Sequence, residues 1–241
     1  RRGLVEGFDP NASEVAASPK VDGLPLASVG TTLYSATPDD LIAYDTQTWN
    51  VRWEVKLAGV SHVAANEEGE VAAVNPNGCR LYSADGKELW KVDTPFQPSG
   101  VALSESAVLV GTAKPRLWAL DRKSGEKKWD QTWDGGANGW ARPRVIGDLV
   151  AFPVGSNLEA FDIASGEKKW TFEGVGSAVG VDPEARQFFV ISGERNALSC
   201  VDASNGQAVW TTKSDIVLVG PPSFDSDGVY LFGVVDAKEV K

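Results

Sequence analysis

The stretch "LEAFDIASGEKKW", residues 158–170, decides the fold, because 41 residues earlier the chain reads "LWALDRKSGEKKW". The Asp of this motif returns at spacings of 36 to 41 residues, as Asp9, Asp45, Asp85, Asp121, Asp162 and Asp202. Self-similarity at a period near 40 residues is typical of an array in which each repeat is one supersecondary unit. The sequence therefore predicts six repeated units.

Two further columns accompany this Asp. Four residues before it stands a branched apolar residue: Val5, Leu41, Leu81, Leu117, Leu158 and Leu198. Two residues before it stands a small one: Gly7, Ala43, Ser83, Ala119, Ala160 and Cys200. Because residues two apart in a strand point to one face, each unit should contain a strand whose buried face reads large, small, Asp. We expect Cys200 to be a buried filler, and the small column to leave room for an indole from a neighbouring unit.

A Trp follows on the returning strand. It stands eight residues after the Asp at Trp53, Trp129, Trp170 and Trp210, and five after Asp85 at Trp90, where the turn shortens to "ADGKELW". A Gly between two strand-like runs predicts a hairpin turn with positive φ, and an Asp before it can accept hydrogen bonds from turn N–H groups. We interpret the five Trp residues, with Asp45, Asp85, Asp121, Asp162 and Asp202, as structural docking residues.

Two more short strands precede each such hairpin, for example "SHVAAN" and "EVAAVN" at residues 61–66 and 70–75. Four antiparallel strands in about 40 residues form the blade of a β-propeller. The sequence thus predicts an all-β, six-bladed β-propeller of four-stranded antiparallel blades.

The motif copies carry a family resemblance. The segments "ALDRKSGEKKW", "AFDIASGEKKW" and "CVDASNGQAVW", and less closely "AYDTQTWNVRW", resemble the A-x-D-x-x-x-G-x-x-x-W tryptophan-docking motif of PQQ-like β-propeller repeats. That family includes quinoprotein dehydrogenases and a non-enzymatic outer-membrane assembly lipoprotein that needs no cofactor. The resemblance implies that each docked Trp ties one blade to the next.

The terminal copies depart from the motif. Trp49 stands where the first full unit should have its turn Gly, and the N-terminal copy has Ser13 and Ala17 in place of Gly and Trp. At the other end, "PPSFDSDGVYLFGVV" supplies two strands without a motif. Pairing the ends would remove exposed strand edges. We predict one domain over 1–241, with blades at 22–57, 59–94, 98–133, 141–174 and 177–214 and a composite closing blade of 218–241 plus 1–18.

Composition argues against several functions. The net charge of −10 disfavours nucleic acid as a partner, and no apolar run approaches the length needed to insert into a membrane. Cys79, Cys200 and the single His62 lack metal-ligand spacing, and the two cysteines fall in different units, unlike the adjacent pair of many PQQ enzymes. Residues 37–40, "TPDD", and 225–228, "DSDG", are interpreted as turns rather than calcium loops. We expect no catalytic residue, metal or cofactor, with a PQQ-dependent dehydrogenase as the enzymatic alternative.

One insertion breaks the repeat. The link "DQTWDGGANGWARPR", residues 130–144, is longer than its equivalents and is rich in Trp and Arg, the residue types of binding hot spots. Candidate partner-binding residues are Trp49, Trp133, Asn138, Trp140, Arg142 and Arg144. Capping of the core by Trp133 and Trp140 is the alternative for those two residues.

The sequence therefore predicts a monomeric, non-catalytic scaffold that binds a protein or peptide. We expect it to be extracytoplasmic, in the cell envelope or secreted, with possible anchoring through a preceding segment. A ligand-sensing extracellular domain of a membrane-anchored protein is the alternative.

Overall fold

The computed structural model describes residues 2–4, 7–8, 15–17, 20–112, 114, 116–134, 142–225 and 228–234. Across these residues the regular structure consists of β-strands, and no helix capable of crossing a membrane is found among them. The chain divides into two compact units, residues 1–103 and 104–241. The all-β class and the antiparallel, four-stranded sheets predicted from the repeat are confirmed.

Unit 1 contains two complete four-stranded sheets, in the orders β5-β6-β7-β8 and β9-β10-β11-β12, and two short hairpin-like pairs, β1-β4 and β2-β3. Its strands are β1 Arg2–Leu4, β2 Gly7–Phe8, β3 Val15–Ala17, β4 Lys20–Asp22, β5 Leu24–Val29, β6 Thr32–Ala36, β7 Asp40–Asp45, β8 Val51–Lys56, β9 His62–Ala65, β10 Val71–Asn75, β11 Gly78–Tyr82, β12 Glu88–Asp93 and β13 Pro98–Leu103.

Unit 2 contains the four-stranded sheets β17-β18-β19-β20 and β21-β22-β23-β24, the antiparallel strands β14, β15 and β16, and the pair β25-β26. Its strands are β14 Ala107–Thr112, β15 Arg116–Asp121, β16 Lys127–Thr132, β17 Arg144–Ile146, β18 Leu149–Val154, β19 Asn157–Asp162, β20 Lys168–Glu173, β21 Val175–Asp182, β22 Gln187–Ser192, β23 Ala197–Asp202, β24 Ala208–Lys213, β25 Val217–Asp225 and β26 Gly228–Val234.

The core lies between consecutive sheets. Second strands such as β10, "VAAVN", and β14, "AVLVGT", are buried at every position, which fits near-continuous apolar runs covered on both faces. In unit 2 one cluster of buried side chains joins Leu158, Ala160 and Trp170 of one sheet to Phe188 and Val201 of the next. Packing of adjacent sheets through such clusters removes apolar surface from water and stabilises the fold.

The small column has a different neighbour from the one expected. Ala43, Ala119, Ala160 and Cys200 each lie directly opposite the Trp of their own unit, and the pairing register shifts by one residue just after them. Such a shift is a β-bulge, which increases local twist and changes the direction of neighbouring side chains. The small residue therefore adjoins the indole of its own hairpin, because the two are cross-strand neighbours.

The second unit has a different register from the one predicted. Strand β11 ends at Tyr82, and Leu81, rather than Ser83, lies opposite Trp90. Ser83 occupies the place that Asp has in the other units, since its Oγ accepts a hydrogen bond from the Lys87 backbone N–H at 3.1 Å. Asp85 lies within the turn. The assignment of Leu81, Ser83 and Asp85 to one strand face was wrong because the shorter turn moves the motif letters by two positions.

The ends of the chain form separate two-stranded pairs among the described residues. Gly7 pairs with Ala17 in β2-β3, and Val217 pairs with Val234 in β25-β26. The sixth composite blade and the closure of the ring stay predictions.

Candidate functional site

Three Trp residues of the repeat bind the next copy of the motif. The Nε1–H groups of Trp53, Trp129 and Trp170 donate to the carbonyl oxygens of Ala84, Ile163 and Ala203, at 2.9, 2.8 and 2.8 Å. Each of these carbonyls lies in the turn between the third and fourth strands of the following sheet. A buried indole N–H needs such a partner, so the turn of one unit satisfies the Trp of the unit before it.

The turn Gly makes this approach possible. A Cβ atom added to Gly86 or Gly166 would lie 2.8 Å from the indole of Trp53 or Trp129, and one added to Gly206 would lie 2.6 Å from that of Trp170. The same glycines have φ of +82°, +75° and +71°. Gly thus supplies both the left-handed turn and the flat surface against which the indole packs.

The motif Asp holds the turn. One carboxylate oxygen of Asp45 accepts the N–H groups of Gln47 and Thr48 at 2.9 and 2.8 Å, and Asp162 accepts the N–H and hydroxyl of Ser165, both at 2.8 Å. The Thr48 N–H, followed by Arg52, lowers the pKa of Asp45 to about 2. Hydrogen bonds from the serine of the turn likewise lower the pKa of Asp121, Asp162 and Asp202.

We expect the protein to lose stability in acid as these turns are protonated. A carboxyl whose pKa is lower in the folded chain contributes stability that is present above its unfolded value, 3.8, and lost as pH falls through the folded value. Urea unfolding midpoints should therefore fall between about pH 4 and about pH 2. Asp162→Asn should show a shallower fall; an identical slope would contradict the role of this carboxylate.

Trp210 does not share the environment of the other motif Trp residues. Its side chain is 40% exposed, against 9% for Trp53 and 8% for Trp170, and every residue of β24 is exposed. Trp90 is buried at 9%. Trp210 contacts Phe189 of its own sheet at 6.1 Å between ring centroids. It provides a natural comparison for the docked Trp residues.

Trp49, a candidate partner-binding residue, is half-buried. It has φ of +60°, the left-handed conformation that the motif normally assigns to Gly, and it packs against a cluster of Val21, Leu33, Ile42 and Tyr44. The strained backbone is offset by this apolar contact. The environment of Trp49 is that of a packing residue.

Trp133 is also half-buried against a sheet. Its ring lies 5.7 Å from those of Phe152 and Phe161, and its Nε1–H donates to the Glu159 carboxylate at 3.1 Å. Glu159 itself is 9% exposed. These contacts favour the capping alternative for Trp133, and the buried Glu159 on β19 is a partner that the repeat pattern did not indicate.

Arg142 and Arg144 are two half-buried cations. Arg144 opens β17, the edge strand of its sheet, and its Nε–H donates to the carbonyl oxygen of Val179 in β21 at 2.9 Å. Burial lowers the pKa of Arg144, and the charge of Arg142 lowers it further. Burial also lowers the pKa of Arg142. Within the described chain, no carboxylate oxygen lies within 4.0 Å of a guanidinium nitrogen of either residue, so neither forms an ion pair there.

The candidate residues do not form one surface. Trp133 packs on the face of the β17–β20 sheet that carries Phe152, whereas Arg144 lies opposite Ala151 and therefore on the other face. Asn138 and Trp140 lie outside the described residues. Trp49 belongs to unit 1. Of the six candidates, the described structure brings together Arg142 and Arg144.

The cysteines are buried and unpaired. Burial raises the pKa of Cys79 to about 12, and Cys200 has a raised pKa and donates to the Gln187 side chain at 3.0 Å. In the described part of the chain no group of three or more His, Cys, Asp or Glu side chains is placed to hold a metal ion. At residues 37–40, the Thr37 hydroxyl oxygen accepts the backbone N–H of Asp40, which is a turn contact. The Asp40 carboxylate forms an ion pair with Lys56 at 2.6 Å.

The comparison with known protein families decides the identity of this repeat. The family model described as outer membrane protein assembly factor BamB matches residues 1–212 and 156–237. The chain belongs to this BamB family of PQQ-like repeat β-propellers. The resemblance seen in the motif copies is thereby confirmed.

Individual BamB relatives are distant and longer. The BamB proteins of Yersinia pestis and Burkholderia pseudomallei are 29% identical over 171 residues and 24% identical over 225 residues. These matches take in 63% and 80% of this chain but 41% and 58% of the relatives. The chain thus spans about half the length of the BamB proteins it matches.

Solved structures show the same fold. The crystal structure of BamB from Moraxella catarrhalis superposes with a TM-score of 0.68 at 18% identity, over 96% of this chain and 77% of that one. The computationally designed Ika8 protein superposes with a TM-score of 0.71 at 13% identity, over 90% and 72% of the two chains. A fold held by packing and turn columns accommodates wide sequence variation, so these likenesses describe architecture alone.

Proposed function

We propose that the protein is a non-catalytic β-propeller that binds a protein partner in the bacterial cell envelope. Membership of the BamB family carries this proposal, because the relatives are named as outer membrane protein assembly factors. The motif residues support it, since the Trp, Gly and Asp columns are engaged in joining sheets and shaping turns. Function is then expected where the repeat is broken.

We assign partner binding to the segment that carries Arg142 and Arg144. Trp49 and Trp133 are engaged in packing, whereas the two arginines are half-buried and form no ion pair with a carboxylate among the described residues. Arg is among the residue types that dominate binding energy at protein interfaces. Asn138 and Trp140 stay candidates because they precede Arg142 in the same insertion.

Cross-linking capture from a bacterial envelope fraction tests the proposed function. Wild-type protein should retain a defined partner, identified by mass spectrometry, and Arg142→Gln should retain less of it. Arg195→Gln removes an exposed Arg from a different turn and should capture as wild type does. Absence of a specific partner would overturn the proposal, and so would quinone-dependent oxidation of an alcohol after addition of PQQ.

We also propose that residues 218–241 and 1–18 complete a sixth blade and close the ring. The pairs β25-β26 and β2-β3 have two strands each, and together they make the number found in a complete sheet. Removal of residues 1–15 should then expose strand edges and promote self-association. Sedimentation and urea unfolding measure this effect; a shortened chain that stays monomeric and equally stable contradicts closure.

A further inference from the structure

We propose that Arg142 and Arg144 form a receptor for a carboxylate side chain of a bound polypeptide. The chemistry follows from the two guanidinium groups, and the polypeptide as the source of the carboxylate rests on the proposed function.

Arg142 and Arg144 lie close together in one extended segment. They are separated by the buried Pro143, and the residue before a proline is restricted to extended backbone. Residues two apart in an extended segment point to the same side. The two positive charges are therefore held near each other, which agrees with the lowering of the pKa of Arg144 by the charge of Arg142.

The Arg144 guanidinium is held in place by one of its N–H donors. Arg144 uses its Nε–H for the Val179 carbonyl, a bond that fixes the guanidinium plane against β21. Arg has five N–H donors, so the two terminal nitrogens of Arg144 keep four. Among the described residues no carboxylate lies within ion-pair distance of either guanidinium. Holding two partly desolvated cations close together without such a partner costs free energy, and an anion that enters between them relieves this cost.

A carboxylate is the anion that best matches this pair of guanidinium groups. A guanidinium presents parallel N–H groups that match the two oxygens of a carboxylate. The chain as a whole has a net charge of −10, which repels polyanions such as nucleic acid or an anionic membrane surface. A short polypeptide segment with one or two carboxylates brings the matching group with little of this repulsion.

Calorimetric titration tests the receptor with three probes. They are a capped peptide in which Glu alternates with Gly, the same peptide with Gln for Glu, and sodium acetate at equal carboxylate concentration. Wild-type protein should bind the Glu peptide and not the Gln peptide. Acetate binding as tightly as the Glu peptide would overturn a polypeptide source.

Two variants locate the site. Arg144→Lys keeps the charge but loses the planar fork, and it should weaken the Glu peptide by about tenfold, the factor that one hydrogen bond between charged groups contributes. Arg195→Gln should bind as wild type does. Arg142→Gln provides a second test if Arg144→Lys unfolds, as judged by circular dichroism. The receptor would be overturned if Arg195→Gln and Arg144→Lys lost equal affinity for the Glu peptide. It would also be overturned if neither Arg142→Gln nor Arg144→Lys lost affinity.

The envelope capture experiment separates this inference from the proposed function. A partner that is retained equally by wild type and by Arg144→Lys would leave the function standing and refute the receptor. Glu-peptide binding that depends on Arg144, with no partner captured, would support the receptor and refute the function.

Discussion

Replacement of Trp170 by Ala should lower the free energy of unfolding by about 3 to 5 kcal/mol, the range for truncating a large core aromatic. The side chain is 8% exposed, contacts Phe188 of the next sheet at 5.8 Å between ring centroids, and donates to Ala203 at 2.8 Å. Its loss leaves a cavity between two sheets and an acceptor without its donor. Urea unfolding followed by circular dichroism measures the change.

Trp210→Ala is the matched control. Both residues occupy the same motif position and lie opposite a small residue of their own hairpin, but Trp210 is 40% exposed. Its truncation should therefore cost about 1 kcal/mol or less, because little buried surface is lost. Equal losses for the two variants, or a loss below about 1 kcal/mol for Trp170→Ala, would show that docking does not stabilise the sheet junction.

Replacement of Gly206 by Ala should destabilise the same junction by about 2 to 4 kcal/mol, as the sum of left-handed backbone strain and overpacking. Its φ is +71°, and a Cβ would lie 2.6 Å from the Trp170 indole. Gly155→Ala measures the backbone strain without overpacking, because Gly155 has φ of +57° and no atom lies within 4 Å of the added Cβ. That control should lose about 1 kcal/mol.

The double variant tests whether the two residues act through one contact. With Trp170 truncated, the added methyl at Gly206 no longer meets the indole, so only the backbone strain should remain. The losses of Gly206→Ala and Trp170→Ala should therefore be less than additive, by about 1 to 3 kcal/mol. Strict additivity would mean that the clash with the indole contributes nothing.

The strands and turns of the repeated units could be predicted from the sequence because residues with the same structural roles recur at nearly constant spacing. The Asp and Gly columns predicted turns that the structure contains, and the strand order within the four-stranded sheets followed from the hairpin signals. The strand register of the second unit was predicted wrongly because its shorter turn places Ser83 where the other units have Asp. Letter spacing does not reveal a change of register when another residue can accept the same hydrogen bond.

The candidate site was less predictable because it depends on contacts between residues that are far apart in the sequence. Trp133, Arg142 and Arg144 are near one another in sequence, yet the sheet places Trp133 and Arg144 on opposite faces. The bond from Arg144 to Val179 joins residues 35 apart, and no local pattern reports such a contact. Residue type identified the insertion as unusual. The arginines were distinguished from the aromatic residues by the contacts of the described chain, in which Trp133 packs on Phe152 and neither arginine has a carboxylate partner.

The left-handed Trp49 changes how the family motif should be used in engineering. In the three contacts of Trp53, Trp129 and Trp170 the earlier unit provides the indole and the later unit provides Gly. At the start of the chain the N-terminal copy has Ala17 in the Trp position of the motif, and the first full unit has Trp49 in the Gly position. The large side chain of Trp49 packs on Val21, Leu33, Ile42 and Tyr44. A repeat-averaged sequence would write Gly at position 49 and relieve about 1 kcal/mol of backbone strain. It would also uncover the apolar cluster on which Trp49 packs, so a consensus design should choose the residues at positions 49 and 17 together.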